Sequence, residues 1–92
     1  MADSISILVA DDHPLFREGV VHSLASQPDF DVVGQASSGE DALRMACDLV
    51  PDVVLLDISM PGWGGILTAE KITIACPTTK VMMLTVMEDE NK

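Results

Sequence analysis

Short apolar runs alternate along the chain with longer stretches whose apolar residues recur every three or four positions. Ile5–Ala10 reads as a strand that ends abruptly at Asp11-Asp12. Leu15, Phe16, Val20, Val21 and Leu24 then fall on one face of a helix. Pro14 suits its first turn, where a missing N–H costs nothing, and Pro28 lies beyond its end. Val32–Ala36 is a second, weaker strand. Ser37 and Glu40 have the spacing of a capping box, opening a helix with Ala42, Leu43, Ala46, Leu49 and Val50 as its buried stripe and Pro51 as its stop. Val53–Leu56 is apolar at every position, as a strand covered on both faces must be, and ends at Asp57. After the turn-forming Met60-Pro61-Gly62-Trp63-Gly64-Gly65, Ile66, Leu67, Ala69 and Ile72 predict a third helix and Lys80–Thr85 a fourth strand. Glu88-Asp89-Glu90 suits the opening of another helix, because acids favour the positive end of the helix dipole.

The predicted order, β-α-β-α-β-α-β, is that of an α/β doubly wound parallel sheet with helices on both faces. Sites in such sheets form beyond the carboxyl ends of the strands, near the reversal of strand order. Asp11, Asp12, Asp57 and Thr85 all stand at strand ends of that kind. If the first and third strands are neighbours, three carboxylates converge and raise one another's pKa unless a cation neutralises them. Oxygen ligands without a Cys or His cluster favour a hard ion, Mg²⁺ before Zn²⁺. Any one of these aspartates alone is most often a loop residue or helix cap; their number at one rim points to a site.

Composition narrows the function classes. Five Lys+Arg stand against fifteen Asp+Glu, a formal net charge of −10. Direct nucleic-acid binding is therefore not expected of this chain, since it rests on basic side chains neutralising phosphates. The 48% hydrophobic content fits one small folded domain. No basic leader segment and no apolar run of membrane-spanning length is visible, so a cytoplasmic setting is expected. Cys47 and Cys76, 29 positions apart with no CxxC, read as small buried hydrophobes and not as a disulfide frame. His13 and His22 read as surface residues, Trp63 as a loop aromatic over the third helix, and Arg17, Arg44 and Lys71 as solvated charges.

Val9-Ala10-Asp11-Asp12-His13-Pro14, Leu55–Pro61 with Gly65, and Met83-Leu84-Thr85 together resemble the receiver domain of two-component response regulators. The stretch Asp11–Gly19 is similar to the NarL/FixJ branch, whose members carry a C-terminal helix-turn-helix domain. The resemblance covers essentially residues 1–92 and implies a flavodoxin-like (CheY-like) fold. It also implies that Asp57 accepts a phosphoryl group from the phosphohistidine of a histidine kinase and passes on a conformational change. By the same resemblance Asp12 is the direct Mg²⁺ ligand, Asp11 assists through water, and the backbone carbonyl of Ser59 is a further ligand. Thr85 would supply the hydroxyl that bonds the phosphoryl oxygen, and Met60, Pro61 and Gly65 the loop shaping that edge. The implied activity is phosphoryl acceptance, not enzymatic turnover.

The family's domain continues through another helix, a fifth strand bearing an essential lysine, and a last helix, whereas only seven residues follow Thr85. The chain is thus expected to be a C-terminally incomplete receiver without its DNA-binding output domain, a piece of a longer transcription regulator. Lys80 cannot replace the lysine, since it lies at the far end of the strand from Thr85. An uncovered fourth strand would favour a homodimer through that edge or by segment exchange. Two other readings compete: a non-phosphorylated interaction module on the same fold, and a haloacid-dehalogenase-like phosphatase. The phosphatase would want a second carboxylate two residues after its nucleophile, where Ser59 stands.

Overall fold

A computed structural model describes residues 4–60 and 62–84. Four strands, β1 (Ile5–Ala10), β2 (Phe30–Ala36), β3 (Val53–Asp57) and β4 (Lys80–Leu84), alternate with α1 (Pro14–Ala25), α2 (Gly39–Leu49) and α3 (Gly64–Ala75). All pairings are parallel, in the order β2-β1-β3-β4. The chain steps outward from β1 to β2, then returns across β1 to β3. The reversal therefore falls between β1 and β3, where a ligand crevice is expected. The predicted Glu88–Glu90 helix start lies outside the described residues.

The sheet's two faces are covered unequally. Register places Leu8 beside Val54 and Ala10 beside Leu56, so these four share one face. They are completely buried, packed with Ala42 and Ala46 of α2, Ile72 of α3, Met60 and Cys76. Among the described residues the opposite face carries α1 alone. Its apolar stripe forms as the periodicity predicts, yet no α1 residue is fully buried and Leu15 is 83% exposed.

Several local readings need correction. The cap of α2 is Ser38, not Ser37: Ser38 is extended and its hydroxyl accepts from Asp41 N at 3.2 Å. Leu49 and Val50 are exposed, because the last turn of α2 runs over edge strand β2, and Val50 turns left-handed (φ 45°) to leave the helix. The buried face of α3 is Gly65, Thr68 and Ile72, with Ile66 and Leu67 turned outward. Thr68 fits there because its hydroxyl donates to Gly64 O at 2.6 Å, so no polar group is left orphaned. Cys76 is buried as expected, but Cys47 is exposed. Lys71 is not simply solvated; its ammonium lies 4.8 Å from the centre of the Trp63 ring, at the start of α3.

At the amino rim the polar groups serve the fold. Asp52 accepts from Ser6 N (2.9 Å) and Ser6 Oγ (3.1 Å), while its own N–H donates to Ser6 Oγ. Thr79 Oγ1 donates to Pro51 O at 2.7 Å. These bonds clamp the entries to β1, β3 and β4 together and leave the opposite rim free for chemistry.

A candidate cation site at the carboxyl rim

Asp57 is the last residue of β3, and Asp11 and Asp12 follow directly on β1. Because β1 and β3 are hydrogen-bonded neighbours, the three carboxylates meet as the pattern predicted. With His13, each offers one donor atom, and these atoms all lie within 4.8 Å of one another. Asp11 and Asp57 are buried, at 1% and 4% exposure; Asp12 is partly open, and the His13 side chain lies outermost.

The backbone shapes each member. Asp11 Oδ1 accepts from His13 N at 2.8 Å, an Asx turn that ends β1 and starts α1. Asp57 Oδ1 accepts from Ser59 N at 3.3 Å and Ser59 Oγ at 3.5 Å, which folds the next residues back over the rim. Gly65 N then donates to Ile58 O at 3.0 Å. A Cβ on Gly65 would stand 2.5 Å from Asp57 O and from Ile58 Cα, so only glycine lets α3 begin this close to β3.

Two buried oxygens, Asp11 Oδ2 and Asp12 Oδ1, have no hydrogen-bond partner among the described residues. A buried carboxylate oxygen in that condition is costly unless something positive meets it. His13 Nδ1 meets part of that need, lying 3.2 Å from Asp11 Oδ1, 3.2 Å from Asp12 Oδ1 and 3.9 Å from Asp57 Oδ2. The hydrogen bond to Asp11, then the charge of Asp12, raise the imidazole above its ordinary value of 6.5. The inner donors are all carboxylate oxygens, the set a hard divalent cation prefers. The residues present therefore fit such an ion.

Arg17, read as a solvated charge, belongs to this rim. Its guanidinium donates to Asp11 O at 2.8 Å, and its Nε donates to Gln35 Oε1 at 3.2 Å, tying α1 to the ends of β1 and β2. Its place three residues after Pro14, within a helix opening beside the acids, was the available signal. Arg44 is exposed and, among the described residues, pairs only with Asp41, as expected of a surface charge. Thr85 and Pro61 lie outside the described residues; Met60 is buried against the core beneath the loop.

Comparison with known proteins agrees with this geometry. Residues 7–92 match the response regulator receiver domain. The chain is 46% identical over 86 residues to the response regulator GacA of Pseudomonas aeruginosa, covering 94% of this chain and 40% of that protein. It is 39% identical over 85 residues to the nitrate/nitrite response regulator NarL of Escherichia coli, covering 92% and 39%. The signal receiver domain of the NarL response regulator from Mycobacterium tuberculosis superposes with a TM-score of 0.88 at 38% identity, covering 96% of this chain and 71% of that one. The response regulator domain of Thermotoga maritima CheB gives 0.84, also at 38%, covering 89% and 60%. The chain spans about 40% of the length of these curated relatives. In sequence, in strand order and in the acidic rim between β1 and β3, this chain belongs to the receiver domains of two-component response regulators.

Proposed function

We propose that Asp57 accepts a phosphoryl group from the phosphohistidine of a histidine kinase. The observation that carries this reading is the meeting of Asp11, Asp12 and Asp57 at the strand-order reversal, with Asp11 Oδ2 unpartnered and Asp12 Oδ1 met by His13 alone among the described residues. Ser59 occupies Asp57 Oδ1, and Oδ2 is the oxygen turned toward His13 and the open side. A carboxylate oxygen of Asp57 bonds to phosphorus as the P–N bond breaks and the imidazole leaves. Asp11, Asp12, Asp57 and the Ser59 backbone carbonyl would hold Mg²⁺, which when bound would offset the charge gathered between carboxylates and phosphoryl oxygens. Arg17 acts as a positioning residue, fixing the backbone of Asp11. Thr85 is assigned the hydroxyl that bonds the phosphoryl oxygen; the preceding Leu84 is paired with Asp57 and accepts from Ile58 N at 3.3 Å. The added oxygens are strong acceptors, so they can draw neighbouring segments into a new position.

We read residues 1–92 as the receiver part of a longer cytoplasmic regulator whose output domain binds DNA, in keeping with the share of its relatives that it spans. No described helix is long and apolar enough to cross a membrane. The net charge of −10 leaves nucleic-acid contact to that other domain. A second reading, homodimerisation at β4, is supported by its place at the sheet edge among the described residues and by Met82 at 56% exposure.

One experiment decides. Incubation with Mg²⁺ and acetyl phosphate should add one phosphoryl group by intact mass, and Asp57→Asn should abolish it. Continuous release of phosphate over many turnovers would indicate a phosphatase instead. Absence of labelling together with dimers in sedimentation would favour the interaction module, and a monodisperse monomer would remove the dimer.

A further inference from the structure

Cys47 sits in the last turn of α2 and Cys76 caps the C-terminus of α3, with their sulfurs 3.7 Å apart. They are the chain's only cysteines. Their environments differ: Cys47 is open to solvent and Cys76 is buried. Both backbones are pinned. Cys76 N donates to Ile72 O at 2.7 Å and Cys76 O accepts from Thr79 N at 3.0 Å. The turn after Cys47 is closed by Val50 N donating to Ala46 O at 2.8 Å. Bond formation therefore asks the two sulfurs to approach by only roughly 2 Å.

We propose that Cys47 and Cys76 form a peroxide-responsive dithiol pair, in which exposed Cys47 is oxidised first and buried Cys76 resolves it to a disulfide. In the first step the Cys47 thiolate attacks hydrogen peroxide, the O–O bond breaks, and Cys47 sulfenic acid and hydroxide result. In the second, the Cys76 sulfur attacks the sulfenic sulfur, the S–S bond forms, and the S–O bond breaks. The departing hydroxide takes the Cys76 proton and leaves as water. In sum, two thiols and one peroxide give one disulfide and two waters. Burial, reinforced by the contact with Cys47, raises the Cys76 thiol above its ordinary value. Resolution therefore quickens as pH rises.

The crosslink would span 29 positions and enclose β3, Asp57, the following loop and α3. Helices in this topology run back against the strands, so the two cysteines lie at the rim opposite the acidic site. The disulfide thus fixes α2 to α3 without touching Asp11, Asp12 or Asp57, a restraint on helix movement independent of the cation.

The test treats the chain with hydrogen peroxide, counts free thiols and maps peptides. The expected result is loss of both thiols, a mass lower by two hydrogens, and one peptide joining Cys47 to Cys76 within a single chain. Reversal by dithiothreitol is expected, with a Tm about 10 °C higher in the oxidised form. Cys76→Ser should leave a sulfenic acid on Cys47 that dimedone captures. Should that variant not fold, Cys47→Ser, altered only at an exposed position, should leave Cys76 unreacted at the same peroxide dose. Crosslinks only between chains, Cys47 overoxidised with Cys76 still a thiol, or both thiols intact would each overturn the proposal.

Discussion

The two faces of one sheet are built to different standards. Toward α2 and α3, Leu8, Ala10, Val54 and Leu56 are sealed completely by Ala42, Ala46 and Ile72. Toward α1, Leu15, Phe16, Val20 and Leu24 form a groove with Leu55 and Leu84 that is still open to solvent. Burial of apolar surface, at about 25 cal/mol per Å², is what a stripe of apolar residues contributes. More of the buried apolar surface thus lies on the α2–α3 side, while the α1 side keeps Ile7 and Val9 buried and is tied at its end by the bond from Arg17 to Asp11. The acidic rim joins the two sides, since Asp11 and Asp12 lead into α1 and Asp57 leads toward α3.

Substitutions should separate the faces by size of effect. Leu56→Ala empties the sealed side and should cost about 3–5 kcal/mol in urea unfolding; a cost below about 1 kcal/mol would mean that this side is not the main core. Next in size is the cation. Mg²⁺ at about 100 times its Kd should stabilise the fold by about 2.7 kcal/mol, seen as a rise in Tm. Asp12→Asn should lose most of that rise, and an undiminished rise would separate ion binding from the rim.

A smaller effect involves His13 without metal. Its imidazole is raised in the fold, so the contribution is whole below about 6.5 and is lost as pH rises through the raised value. His13→Gln should flatten that slope in a urea series across neutral pH; an unchanged slope would place the titration elsewhere. Smallest of all, Leu15→Ala should alter stability by no more than about 0.5 kcal/mol, despite removing the same side chain type as Leu56→Ala. Equal costs for these two would erase the difference between the faces.

Element types and order were legible because each helix and strand has its own hydrophobic period. The end of β1 could be read from Asp11-Asp12, where an apolar run gives way to charge. Side-chain facing was less legible. In α3, Ile66 and Leu67 were the apolar choice, but Gly65 is buried because a larger side chain would collide with the end of β3, and Thr68 because it packs against Gly39 of α2. In α2 the capping-box spacing to Glu40 favoured Ser37, but Ser38 is the residue held extended with its hydroxyl on Asp41 N. Asp52 and Asp57 flank the same strand with the same chemistry, yet one accepts from Ser6 and the other joins the acidic group.

By itself, then, the sequence determined the alternation of strands and helices and the presence of carboxylates at strand ends. Those follow from local periodicity and from the turn chemistry of single residues. Only the tertiary structure decided that β3 lies beside β1, which turns separate aspartates into one site. It also brought Cys47 to Cys76 and Arg17 to Asp11, and left one face of the sheet less covered than the other. The physical reason is distance: local pattern sets which way a residue faces within its own element, but packing sets what it meets.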